Sequence, residues 1–176
     1  MAANMQTDRE LFEKGRPCVR VYQWDKPTIT YGYAQKLEQI IDLDKYSRDG
    51  WVVEQRPTGG GVVFHNKGNI SFAIIMPRGK LKVDEAVAVT TKKIADFLKI
   101  CGLAVKVESN KKSNQANLCS DYVSRNEISL NGKKLVGIAQ RFGKNVILQQ
   151  GTIFGDFTQI KLKELEKCMK LFSMKN

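Results

Sequence analysis

Apolar positions along the chain follow two rhythms, and the switches between them mark out its elements. Alternation, or short runs rich in Val, Ile and Phe, predicts strands over 18–24, 28–31, 51–55, 62–65 and 70–76, the last three reading as central strands. Three- and four-residue spacing predicts helices instead. The clearest covers 84–101, where Val87, Thr90, Ile94, Phe97, Leu98 and Cys101 fall on one face and Gly102 follows as a stop. A short helix is predicted over 5–14, and a polar helical stretch runs through Leu37, Ile40 and Ile41. Residues 104–107 read as a strand and 108–120 as a long polar loop; loops of that length in compact domains tend to carry function. Asn131-Gly132, between 127–130 and 133–141, is the pair that favours a type I′ hairpin turn. A strand over 146–154 follows, then a terminal helix with Leu162, Leu165, Met169 and Phe172 as its apolar stripe. The expected fold class is α+β: a mixed, largely antiparallel sheet flanked by helices. No repeat or linker divides the chain, so a single domain over 1–176 is expected.

Composition narrows the chemistry. Lys plus Arg number 29 against 18 Asp plus Glu, a net charge of +11 that favours anionic partners. No apolar run approaches the ~20 residues of a membrane span, and the first residues lack the apolar centre of a secretory signal. A cytoplasmic protein with no membrane partner is expected. Four widely spaced cysteines without a CxxC pair, and one histidine, suggest reduced thiols and no metal site. Cys18, Cys101 and Cys168 read as packing residues. Nucleic acid is a poor fit, because no RNP motif, zinc finger or dense arginine patch accompanies the charge.

Arg56-Pro57-Thr58-Gly59-Gly60-Gly61 sets three glycines between two apolar strands, leading into His65. Glycines there let backbone N–H groups approach an anion closely, or merely permit a tight turn. No Lys-Ser/Thr follows them and the chain continues as a strand, so this is not a P-loop. His65 is equally readable as a hydrogen-bonded strand-end histidine or as a ligand contact.

This stretch, continued through Gly68-Asn69, resembles the arginine, glycine-triplet, histidine and Gly-Asn signature of the biotin/lipoate protein ligase superfamily, in particular its lipoate-protein ligase branch. Other blocks agree in order: Asn4-Met5 with Asp8, Trp24 to Gln35, Gly132 to Arg141, and Gln150-Gly151-Thr152-Ile153. The resemblance implies a fold like class II aminoacyl-tRNA synthetase and biotin ligase catalytic domains. It implies attachment of lipoate, or octanoate, to a lysine on the acidic lipoyl domains of 2-oxoacid dehydrogenases or on glycine-cleavage protein H. It makes Lys134 the catalytic lysine, and assigns substrate or cofactor binding to Arg56, Gly59, Gly60, Gly61, His65, Asn69, Glu127, Gly137, Ala139, Gln140 and Thr152.

The hairpin gives Lys134 an independent reading. A two-residue turn pairs Leu130 with Lys133, Ser129 with Lys134, Ile128 with Leu135 and Glu127 with Val136. Strict alternation then puts Glu127, Ser129, Lys134, Val136 and Ile138 on one face, an acyl slot with a charged mouth. Glu127 lies diagonally within reach of Lys134. A lysine so placed could stabilise negative charge on an acyl carbonyl; beside Asn-Gly it could equally be a solvated turn lysine.

Two chemistries fit the resemblance, the leading expectation being a lipoate-protein ligase that works through an acyl-adenylate and the alternative an octanoyltransferase. A ligase uses ATP and Mg2+ to form an acyl-adenylate. An octanoyltransferase takes the acyl group from acyl carrier protein onto a cysteine, and Cys119, eight residues before Glu127, stands where one transferase branch has its catalytic cysteine. A non-catalytic acyl- or lipoyl-domain-binding homologue is the third reading. The sequence departs from the family at Gln55, where a first arginine is frequent, at Gln149-Gln150, where a histidine is common, and at Glu127, often an aspartate. The chain runs only about twenty residues past Gly155, which implies no accessory C-terminal domain and allows for a separate accessory subunit.

Overall fold

The computed structural model describes residues 4–108 and 127–156 together with Glu166. Cys119, most of the predicted polar loop and the apolar stripe of the terminal helix lie outside the described residues. In chain order the elements are α1 (Asn4–Lys14), β1 (Cys18–Tyr22), β2 (Thr28–Tyr31), a 3₁₀ turn (Leu37–Gln39), α2 (Leu43–Arg48), β3 (Val52–Gln55), β4 (Val63–His65), β5 (Ile70–Pro77), α3 (Val83–Ile100), β6 (Lys106–Val107), β7 (Ile128–Leu130), β8 (Lys133–Phe142) and β9 (Val146–Ile153).

These strands form two sheets. The larger runs β1-β5-β9-β8-β7-β6 and is antiparallel throughout. The smaller, β3-β2-β4, pairs β2 with β3 in parallel and with β4 antiparallel. The strands expected to be central at 51–55 and 62–65 are instead the two edges of the small sheet, while 70–76 is central in the large one. The 3₁₀ turn and α2 carry the chain back so that β3 runs beside β2 in the same direction, and Val52 and Val53 stay partly exposed. Asp42 caps α2 by accepting from the Lys45 N–H.

One face of the large sheet is covered by α3. Phe72, Ile74, Met76, Ile147, Ile153 and Val136 meet Ala86, Ile94, Ala95, Phe97 and Leu98 of the helix. The helix begins at Val83, one residue before the prediction, because Glu85 turns back to accept from the Lys82 N–H at 2.9 Å. Its buried stripe stops at Leu98, so Cys101 is exposed at the helix end rather than packed as expected. The opposite face is divided. Leu11 and Phe12 of α1 pack on Ala73, Ile75, Val146 and Leu148, with Cys18 joining them. The rest of that face looks across to the small sheet.

The hairpin turn is type I′ as predicted, with φ of 51° at Asn131 and 74° at Gly132. Its first two pairs, Leu130 with Lys133 and Ser129 with Lys134, are those expected, but Ile128 then lies opposite Val136 instead of Leu135. A β-bulge at Leu135 absorbs one residue and reverses the alternation. The expected slot lined by Val136 and Ile138 is therefore overturned at Val136, which is fully buried in the α3 core, whereas Ile138 packs against that core and is also among the residues lining the cleft described below. Lys134 shares a face with Gly137 instead, and its Cε would sit only 2.9 Å from a Cβ at that position.

Candidate functional site

Where the small sheet meets the uncovered part of the large one, a cleft opens. Thr30, Val63 and His65 line it from the small sheet, Arg56 and Gly60 from the glycine loop, and Gly137, Ala139, Gln150, Thr152 and Phe154 from β8 and β9 and the residue that follows. Ala139 pairs with Gln150 and Gly137 with Thr152 across the strands, so these four share a face. Their small or polar side chains leave space where the other face of the same strands is filled with Ile and Val.

The glycine loop is fixed from within. Arg56 is 6% exposed; its Nη1 donates to Thr30 Oγ1 at 2.7 Å, and its Nη2 donates to the carbonyls of Gly59 (3.1 Å) and Gly61 (2.6 Å). Gly60 has a φ of +93° and leans over Ala139, whose Cβ would lie 3.8 Å from an added one. Gly32 permits the other close approach, since a Cβ there would come within 2.3 Å of the Gly60 carbonyl oxygen. The loop is thus a rigid rim over the cleft, clasped by the arginine that opens it.

On the facing wall, Lys134 is not a solvated turn lysine. Its side chain is 2% exposed and its Nζ lies 2.5 Å from Glu127 Oε1, the carboxylate being 9% exposed. The ammonium is held against Gly137, within 3.3 Å of where a Cβ would project. Two consequences of the sequence meet here: the bulge turns Lys134 onto the cleft face, and Gly137 leaves room for its stem.

His65 joins the two walls. Its Nε2 is hydrogen-bonded to Thr30 Oγ1 at 2.8 Å, the same oxygen that accepts from Arg56. Its Nδ1 faces Thr152 Oγ1 at 3.5 Å. Thr152 is bonded in turn to Ser71 (3.0 Å), and Ser71 accepts from the Trp24 indole (2.9 Å), whose ring stacks on His65 at 4.3 Å. Burial, assisted by the Arg56 charge, lowers the His65 pKa to about 3, so the ring is neutral throughout the physiological range. It is a hydrogen-bonded polar side chain in the cleft wall.

A second network holds the loop from below. Gln150 accepts from the Thr58 hydroxyl at 2.7 Å and donates to Asp8 at 2.7 Å. Asp8, fully buried on α1, also accepts from Arg20 (2.7 Å) and the Tyr22 hydroxyl (2.9 Å). Burial raises the Asp8 carboxyl pKa, against the opposing pull of Gln150 and Arg20. Asp8 and the Gln149-Gln150 departure stand out in the sequence without any local pattern that gives either a place in the site. The available signal was a carboxylate at the buried spacing of Met5, Leu11 and Phe12.

Of the residues expected in the site, the structure brings together Arg56, Gly60, His65, Gly137, Ala139 and Thr152 in the cleft lining, with Lys134 and Glu127 beside Gly137. Gly59 and Gly61 supply carbonyls to Arg56. Asn69 is buried outside the lining, accepting from the Gly155 N–H at 3.2 Å. Gln140 lies on the opposite face of β8 and donates to the Val83 carbonyl at 2.8 Å, at the start of α3. Among the described residues no three His, Cys, Asp or Glu side chains gather to hold a metal ion, and no helix is long and apolar enough to cross a membrane.

The family described as the lipoyl protein ligase A/B catalytic domain matches residues 1–173. Octanoyltransferase LipM of Geobacillus kaustophilus is 35% identical over 94% of this chain and 66% of its own length. The octanoyltransferase LipM of Bacillus cereus is 34% identical over 86% and 60%. A protein named probable lipoate-protein ligase A, from Mycoplasma pneumoniae, is 30% identical over 86% of this chain and 40% of its own. The chain thus spans about 40–66% of the length of these relatives. Among solved structures, lipoate-protein ligase A bound with ATP matches with a TM-score of 0.71 and 20% identity, over 89% of this chain and 71% of that one. A bi-partite lipoate protein ligase of Thermoplasma acidophilum, solved in a study with its E2 lipoyl domain, matches with a TM-score of 0.66 and 21% identity, over 87% and 58%. These two share the mixed α+β fold.

Proposed function

The chain belongs to the lipoyl protein ligase A/B catalytic domain family, and from that membership we propose that it transfers an octanoyl or lipoyl group to the ε-amine of a lysine on a lipoyl domain. The observation that carries the reading is the Lys134 ammonium, buried, paired with Glu127 and pressed against Gly137 at the cleft wall. A fixed positive charge of that kind stabilises the negative charge that develops on an acyl carbonyl oxygen under attack by an amine. It needs no reorganisation at the moment of reaction, because Glu127 and the bulge already set its position.

The route we favour is thioester transfer. The Cys119 thiolate attacks the octanoyl thioester of acyl carrier protein, forming an enzyme thioester and releasing the carrier thiol. The acceptor amine then attacks that thioester, the amide forms, the thiolate leaves, and the surplus amine proton passes to solvent. The octanoyltransferases at 34 and 35% identity support this route. Lipoate ligation is the second reading, favoured by the Mycoplasma pneumoniae relative. In that reaction ATP and Mg2+ would supply the activated acyl group; the rim held by Arg56 and the Lys134 charge are the features of this chain suited to an anionic acyl-phosphate. Acceptors would be lipoyl domains of 2-oxoacid dehydrogenases or glycine-cleavage protein H.

The test is to incubate the protein with an apo lipoyl domain and octanoyl acyl carrier protein without ATP, recording intact masses of enzyme and acceptor. Octanoylated acceptor with a hydroxylamine-sensitive enzyme adduct, lost in Cys119→Ser, is the expected result. Transfer only with free lipoate and ATP, unaffected by Cys119→Ser, supports the ligase. Acceptor binding without transfer under both conditions overturns the enzymatic reading.

A further inference from the structure

Outside the cleft, one step along β8, a large aromatic ring and a cation stand together at the surface. Tyr33 is 60% exposed, more than any other aromatic side chain among the described residues. Its backbone is fixed on both sides, the N–H donating to the Thr58 carbonyl at 3.1 Å and the carbonyl accepting from Gln55 at 3.2 Å. Its ring edge lies 3.7 Å from where a Gly59 Cβ would be. Arg141 follows Ala139 on the same face of β8, roughly 7 Å further on. Its guanidinium lies 6.0 Å from the Tyr33 ring centre and 5.6 Å from that of Phe12, and donates to the Pro57 carbonyl at 3.2 Å. Tyrosine and arginine offer large contact area for few rotatable bonds or a planar fork of donors, which is why they recur as anchors of protein interfaces.

The geometry points to Tyr33 and Arg141 as a docking ledge for the protein that carries the target lysine, with carboxylates flanking that lysine. The assignment rests on the acyl-transfer reading above. Reach selects the occupant. A lysine side chain extends roughly 6 Å from its Cα, so its attack within the cleft brings the acceptor's own backbone against the rim formed by Gly60 and the residues outside it. A donor tethered through a long flexible arm has no such need. Charge selects the chemistry: Arg141 belongs to a chain of net charge +11, which attracts an acidic surface and repels a basic one.

The test measures KM for an apo lipoyl domain in wild type, Tyr33→Ser and Tyr33→Glu, alongside the rate of enzyme self-acylation or acyl-adenylate formation without acceptor. The ledge predicts a rise in acceptor KM of at least about five-fold in Tyr33→Ser, a larger one in Tyr33→Glu, and an unchanged acceptor-free step. Unaltered acceptor KM overturns it, as does a rise confined to the acyl donor. If wild type moves no acyl group, the functional reading fails separately. The ledge is then decided by calorimetric binding of the lipoyl domain: weaker in both variants if it holds, equal to wild type if it does not.

Discussion

Strands β8 and β9 present two faces built from alternate residues of the same ten-residue and eight-residue segments, and the faces could hardly differ more. Toward α3 stand Val136, Ile147 and Ile153, with Phe72 laid over Gly151 so closely that an added Cβ would meet its ring at 2.1 Å. Toward the cleft stand Gly137, Ala139, Gln150 and Thr152. The first face supplies burial of apolar area, roughly 25 cal/mol per Å2. The second gives that up for space and for polar groups satisfied by named partners. Fold stability and chemistry are thus separated by a side-chain period of two.

The sharpest way to break the comparison is Phe72→Ala. It should cost about 3–5 kcal/mol in denaturant unfolding and leave acyl transfer per folded molecule unchanged; a matching fall in specific activity would show the faces to be coupled. On the cleft side, Lys134→Met should lower transfer by about 10²–10³-fold and cost about 3 kcal/mol, because the buried Glu127 carboxylate loses its cation. Adding Glu127→Gln should recover most of the stability and none of the transfer. Recovery of both would remove Lys134 from the chemistry.

His65 sharpens the contrast through pH. The unfolded chain binds a proton near the ordinary histidine value of 6.5, whereas the folded chain refuses it until about pH 3. The stability is therefore full above about pH 6.5 and falls as the pH drops toward 3, by up to about 1.4 kcal/mol per pH unit from this residue. Between pH 7 and 4.5, wild type should lose about 2–3 kcal/mol more than His65→Gln in parallel unfolding curves; equal losses would place the ring in a wetter setting than the cleft wall. The smallest stability effect is expected from Gly137→Ala, under about 1 kcal/mol, because the clash is with the far end of a flexible lysine. Its transfer rate should nonetheless fall about ten-fold or more as the ammonium is pushed aside, and a normal rate would mean the contact is incidental.

Much of this was legible in the chain. The α3 stripe, the Asn131-Gly132 turn and the proximity of Glu127 to Lys134 follow from periodicity and turn chemistry, since each is set by residues close in sequence. The bulge was not. No glycine or proline marks Leu135, so alternation carried Val136 to the wrong face. The edge position of β3 was hidden for a different reason: Val52 and Val53 have the composition of a buried strand, and only long-range pairing decides which strands stand inside. The Asp8–Gln150–Thr58 network joins residues 92 and 142 positions apart, and no local pattern encodes such a meeting.

The bulge at Leu135 can also be viewed as a phase slip in a periodic signal. Everything downstream of it on β8 is read one beat late relative to the hairpin, so a single residue decides whether Lys134 belongs to the reaction or to the hydrophobic interior. Alignments that place a gap on the wrong side of this position would exchange the two roles without changing a letter. Deleting Leu135 would do the same in the molecule, turning an ammonium toward α3.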